Sequence, residues 1–200
     1  MSPKIVDREQ KKLKIIGSAF NVLLEKGYID TKMSDIAEEA GIGKGTIYEY
    51  FGSKDELVAA TFETMISMTQ SNVLETLDTI EDPEEKVRRF IRMRAKLFTE
   101  ISGIFRLFVG LVQNIDDKTG KLDTKSFLKD MYEQAIDKIE GVLQEGIDQG
   151  IFREVDKRSL AILMLSVMDG LQMPYGVDQS LVDVESIQEI VEEMMIRYLN

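Results

Sequence analysis

Apolar residues recur every three to four positions along almost the whole of this 200-residue chain, and no stretch alternates apolar with polar β-branched residues. A repeat near 3.6 puts those residues on one side of a helix, so the chain is expected to be all-α, with about nine helices. The three prolines, at positions 3, 83 and 174, each fall near a predicted helix boundary.

The pattern divides the chain further. A first helix is predicted over about Asp7–Lys26, with Leu13, Ile16, Phe20, Leu23 and Leu24 on its inner side and Gly27 ending it. Two short helices follow, near Met33–Ala40 and Lys44–Tyr50. A long helix then starts at Ser53, with Glu56 completing a capping box, and runs to Glu81-Asp82-Pro83. Beyond it, helices are predicted near 83–101, 104–114, 124–149, 156–173 and 183–199, with a polar loop over 116–123. Gly150 should stop the third of these, Asp156 should cap the fourth, and Pro174 should follow that helix's end. The expected division is a small domain over 1–52 and a larger helical domain over 53–200.

Composition closes several routes. The chain has no Cys and no His. Disulfides, thiolate nucleophiles and Ser-His dyads cannot form, and the commonest zinc ligands are missing. A di-metal carboxylate bundle would want Glu-x-x-His pairs. Carboxylates and Lys leave fewer routes to catalysis without closing it; no catalytic residue, metal site or cofactor is expected, and the chain is not expected to be an enzyme. No apolar run approaches the roughly 18 residues of a membrane span, and the N-terminus lacks a signal-peptide core. A cytoplasmic protein is expected.

Residues 33–51 carry the informative spacing. Two short helices crossing at a sharp angle need a small residue where they touch, a turn residue that tolerates positive φ, and an apolar residue facing back from the second helix. Ala37, Gly41 four positions later and Ile47 ten positions later supply these, with Ile36, Ala40 and Ile42 completing a small core. The combination predicts a helix-turn-helix arrangement, with an ordinary helical hairpin as the alternative.

Over about residues 8–60 the chain resembles the TetR family of bacterial regulators. The likeness is carried by Ile15 to Tyr28, Thr31, Ile36-Ala37, Ala40-Gly41, Gly45-Thr46-Ile47-Tyr48, Phe51 and Ser53-Lys54-Asp55-Glu56-Leu57. The resemblance implies a homodimer paired through its last two helices, a double-stranded DNA operator as partner, and a small-molecule effector held in the C-terminal domain. It also implies that Tyr50 reaches phosphate and that Lys32 and Ser34 meet the edge of the DNA.

The second short helix can be read on its own physics. With Ile47 facing inward, steps of about 100° point Gly45 and Glu49 outward, flanked by Thr46 and Tyr48. Gly45 permits close backbone approach, Thr46 and Tyr48 offer hydroxyls, and Lys44 and Lys54 are candidate phosphate anchors. Two departures from the family pattern stand out. Gly43 occupies a position that often carries a hydroxyl cap, and Glu49 one that is often aromatic or basic. A carboxylate there can accept from cytosine N4, or simply face solvent.

Charge bears on this reading. The net charge is −11, but residues 1–60 hold 9 Lys and Arg against 10 Asp and Glu, whereas residues 61–200 hold 16 against 26. The N-terminal part is thus close to neutral, and two copies are expected to be needed for firm DNA binding.

In the second domain, Met93, Phe98, Phe105, Phe108, Met131, Tyr132, Met164 and Met168 are candidates for lining an apolar cavity, or equally for core packing. Arg106 and Asp169 interrupt apolar stretches and should be paired, exposed to water or turned to a ligand. The stripe Arg88, Arg92, Lys96 reads as a solvated, ion-paired face. Together these features point to a ligand-responsive transcriptional regulator, a repressor by preference, with an activator or a protein-binding helical adaptor as alternatives.

Overall fold

The computed structural model describes the backbone of residues 3–96 and 124–200, and among the described residues every regular element is helical. The helices are α1 (Pro3–Asp30), α2 (Met33–Glu39), α3 (Lys44–Tyr50), α4 (Lys54–Asp78), α5 (residues 83–96), α6 (Thr124–Asp148), α7 (Lys157–Gly170), α8 (Gln172–Val177) and α9 (Val184–Leu199). The helix expected at 104–114 and the loop at 116–123 lie outside the described residues, as do Phe98, Phe105, Arg106 and Phe108.

These helices form two compact units. The first holds residues 3–66 and the second residues 67–96 and 125–200, so the packing boundary falls within α4.

In the first unit Ile15, Ile16, Ala19, Val22 and Leu23 of α1 share a core with Met33, Ile36 and Ala37 of α2, Ile47 of α3, and Leu57 and Val58 of α4. Leu13 and Leu24, expected inside, are about half exposed (53% and 49%). The stripe 15-16-19-22-23 fills the inner arc of the helix, and residues 13, 20 and 24 lie more than a quarter turn round from its centre. Gly27, at φ 73 and ψ 174, ends the long part of α1 as expected, and a short helical piece continues beyond this bend to Asp30. The Thr31 hydroxyl donates to the Gly27 carbonyl at 2.6 Å and fixes that bend.

Helix starts follow their caps. The Ser53 hydroxyl accepts from the Glu56 N–H at 3.1 Å, while the Glu56 carboxylate reaches past Ser53 to the N–H of Gly52 at 2.9 Å. The reciprocal half of the expected capping box is therefore shifted by one residue. Asp156 and Asp183 accept from the N–H groups of Ser159 and Ser186 at the starts of α7 and α9.

The second unit packs α4 (Val73, Leu77), α5 (Val87, Phe90, Ile91), α6 (Ile139, Leu143), α7 (Met164, Leu165) and α9 (Met195, Leu199) around one core. Gly146 is required there. A Cβ on it would meet the Phe152 ring at 2.0 Å, and its carbonyl accepts from the N–H groups of Ile151 and Phe152.

Three further expectations are corrected. Pro174 does not follow the end of helical structure. It is the third residue of α8, where its missing N–H has no intrahelical partner to lose. As a result, residues 157–177 are long and apolar enough, at mean hydropathy 1.3, to cross a membrane by that criterion alone, although Leu160, Met164, Leu165 and Met168 are buried in the core. The arginine stripe on α5 is also more than a solvated face. Arg92 pairs with Glu192 of α9 at 2.9 Å, and Glu192 is only 6% exposed.

Candidate nucleic-acid interface

The turn between α2 and α3 is built by Gly41, at φ +66. Its N–H donates to the Glu38 carbonyl at 3.0 Å and that of Ile42 to the Ala37 carbonyl at 2.9 Å, a pair of bonds that closes α2 in a Schellman motif. Gly43 then starts α3 without a side-chain cap. Ile36, Ala37, Ala40 and Ile47 are all buried, with Ile47 fully so, which fixes the roll of α3 about its axis.

That roll sets what α3 shows. Lys44, Gly45, Tyr48 and Glu49 are exposed, Thr46 and Tyr50 are half-buried, and Lys32 and Ser34 at the start of α2 are exposed. Tyr48 keeps 47% of its surface open. A Cβ on Gly45 would meet nothing within 4 Å, so packing within the chain does not demand glycine there. The exposed side of α3 is therefore a continuous small surface bearing a cation, an open backbone position, a phenol and a carboxylate.

Lys54 is placed differently from the other candidates. Its ammonium donates to the Tyr28 carbonyl at 2.9 Å and lies 4.4 Å from the centre of the Tyr28 ring. The Tyr28 hydroxyl donates to Asp55 at 2.6 Å, and burial, then the Asp55 carboxylate, push the phenol up to about 12. Consecutive residues at the start of α4 thus clasp the end of α1. Sequence reasoning missed this role, because nothing in the spacing from 28 to 54 marks the contact.

In the second unit, Met164 and Met168 are sealed in the core at 0% and 2% exposure, and Met93 and Met131 are half-buried. Tyr132 is 37% exposed, and its hydroxyl donates to Asp169 at 2.5 Å. Asp169 also pairs with Arg94. Burial and this carboxylate raise the Tyr132 phenol well above its ordinary value. A cleft of about 230 Å³ is lined by Ser67, Gln70, Ser71, Phe127, Asp130, Met131 and Gln134. Of the predicted cavity residues that are described, only Met131 faces it. Gln70 was the readable signal: it sits in the inward stripe of α4, is 8% exposed, and its amide donates to the Met131 carbonyl at 2.8 Å.

Comparison with known proteins bears directly on this geometry. Residues 15–61 match the family model described as bacterial regulatory proteins, tetR family, and residues 81–199 match that of the tetracyclin repressor-like C-terminal domain. The chain is a TetR-family transcriptional regulator.

This TetR-family chain is 24% identical over 195 residues to the fatty acid metabolism regulator protein of Bacillus subtilis, covering 94% of this chain and 95% of that protein. Among solved structures, it is similar in fold to the B. subtilis regulator FadR in complex with stearoyl-CoA (TM-score 0.66, 22% identity, 94% and 99% of the two chains). It is also similar to a regulator from Saccharomonospora viridis in complex with choline (TM-score 0.78, 20% identity, 96% and 98%). Both structural likenesses concern the fold.

Proposed function

We propose that this regulator acts as a cytoplasmic, two-fold homodimer that lays α3 of each protomer in the major groove of a palindromic operator and is released by a small molecule. The observation that carries the reading is the fixed roll of α3: burial of Ile47 against Ala37 turns Gly45, Tyr48 and Glu49 outward together. In this arrangement Gly45 lets the helix backbone approach the bases, and Thr46, Tyr48 and Glu49 meet base edges. Lys32, Ser34, Lys44 and Tyr50 contact the backbone on either side. Lys54 holds α1 to α4.

Exposed apolar residues support the pairing of protomers. Ile190, Met194 and Tyr198 form a stripe at four-residue spacing on α9, and Ile162 and Leu163 are exposed on α7. A self-complementary contact between two copies would cover both faces.

The effector is proposed to be a fatty-acyl compound. Support comes from the full-length likeness to a fatty acid metabolism regulator, and from a cleft where Phe127 and Met131 sit beside polar Ser67, Gln70 and Gln134. Release then follows from tighter effector binding to the form that does not fit the operator.

The test is electrophoretic retardation of the DNA upstream of the chain's own coding sequence, with and without stearoyl-CoA or choline. Retardation that weakens steeply with salt and is reversed by stearoyl-CoA supports the whole reading. Retardation reversed only by choline moves the effector to another class. Absence of retardation at low salt overturns the DNA-binding reading.

A further inference from the structure

The first unit is short of cations where a DNA-binding domain needs them. Residues 15–60 hold 4 Lys and no Arg against 8 Asp and Glu. Two of those four are engaged inside the chain, Lys54 with the Tyr28 carbonyl at 2.9 Å and Lys26 with Asp35 at 3.3 Å. That leaves Lys32 and Lys44, with Lys26 only weakly held in its exposed pair, as the cations of this stretch open to phosphate. Residues 1–14, by contrast, hold 5 Lys and Arg against 2 Asp and Glu.

The structure places part of that excess beside α3. α1 begins at Pro3, well before the start its apolar pattern predicts, so Arg8, Lys11 and Lys12 lie within an arc of about 100° on one helical face. The Arg8 guanidinium sits 5.9 Å from the centre of the Tyr50 ring, at the last residue of α3, and the Lys12 ammonium 5.8 Å from the Phe51 ring that follows it. Arg8 is exposed, and Lys12 is half-buried; burial pushes the Glu63 carboxyl up, and the Lys12 ammonium offsets part of that rise. Lys11 is tied to Asp7 at 3.0 Å in an exposed pair that competes weakly with phosphate.

We propose that the first turns of α1 form an additional phosphate-binding site, in which Arg8, with Lys12 one turn on, grips the DNA backbone bordering the groove that α3 occupies. This rests on the placement of α3 proposed above. The ligand class is the phosphodiester backbone, read without sequence preference. An arginine suits the position because its planar fork can lie on the Tyr50 ring and still donate outward to phosphate oxygens.

The test is fluorescence anisotropy with a labelled random-sequence duplex and with a duplex from the chain's own upstream region, across a potassium chloride series. Wild type is compared with Arg8→Gln, Arg8→Lys and Tyr48→Ala, each checked by circular dichroism for an unchanged fold. Loss of one phosphate contact flattens the slope of log affinity against log salt by about 0.9. Arg8→Gln is expected to show at least that change per protomer and to weaken both duplexes by the same factor, while Arg8→Lys retains most of the slope. An Arg8→Gln slope equal to wild type, with Tyr48→Ala abolishing preference for the upstream duplex, overturns the α1 site and leaves α3 in its groove. Should Tyr48→Ala also change nothing, the placement of α3 fails and the α1 site with it.

Discussion

The carboxylate of Glu192, closed off from solvent on α9, receives the guanidinium of Arg92 on α5 through contacts of 2.9 and 3.1 Å across 100 residues of chain. Gln188 donates to the same carboxylate at 2.9 Å, and the Arg88 guanidinium stands 3.8 Å away. The pair ties the helix that carries Ile190, Met194 and Tyr198 to the core of the second unit. Removing Arg92 leaves a buried charge with one amide and a more distant cation. Arg92→Met is therefore expected to lower stability by about 2–3 kcal/mol, read as a lower denaturation midpoint in urea at unchanged m. Arg92→Met combined with Glu192→Met is expected to recover part of that loss, since the orphaned charge is then gone.

Gly41 sits at φ +66, a conformation that a side chain resists. Gly41→Ala is expected to destabilise the first unit by about 1–2 kcal/mol. Because the turn sets the angle between α2 and α3, operator affinity should fall further than thermal stability alone explains. Parallel melting curves and anisotropy titrations on Gly41→Ala check both effects.

Glu49 faces outward beside Tyr48 and meets no requirement of the core. An acceptor for cytosine N4 at this position would discriminate one base pair, an effect of about 1–3 kcal/mol. Glu49→Ala is expected to relax preference at one position of each half-site and to leave the others intact, as read from affinities for a panel of single-base operator variants. Uniformly tighter binding to every variant would contradict the role and leave only relief of repulsion from phosphate.

Two helix starts make the fold acid-sensitive. The Asp156 carboxyl is held below its ordinary value of 3.8 by hydrogen bonds from the Ser159 hydroxyl and N–H. The Asp183 carboxyl is likewise lowered by the N–H and hydroxyl of Ser186. A carboxylate with a depressed folded value stabilises the fold fully above pH 3.8, and that contribution fades as pH falls through the folded value. Melting temperature is expected to drop below about pH 4. In the double variant Asp156→Asn, Asp183→Asn that acid limb should be shallower.

The parts of this regulator governed by local rules were legible in its sequence. Ala37, Gly41 and Ile47 revealed the turn because each position has a steric requirement that few residues meet, and Asp156 revealed its cap because that chemistry acts within three residues. Contacts made at long sequence separation were not legible. Arg92 looked like one of a solvated stripe because its partner is 100 residues away, and Lys54 looked free because Tyr28 reaches it only after α1 kinks at Gly27. Leu13 and Leu24 were misplaced for a different reason: an apolar residue near the edge of a helical stripe satisfies the same spacing whether it faces in or out. The cleft escaped because one inward glutamine, Gln70, stood among apolar neighbours.

Methylation of guanine N7 places a methyl group in the major groove without altering base pairing. A methylation-interference experiment on a bound upstream duplex therefore asks directly whether α3 lies in that groove. The expected result is two clusters of guanines, centred about one or more helical turns apart, at which methylation prevents binding by the wild-type protein, with the pattern weakened in Tyr48→Ala. Binding that tolerates N7 methylation at every guanine would contradict the placement of α3.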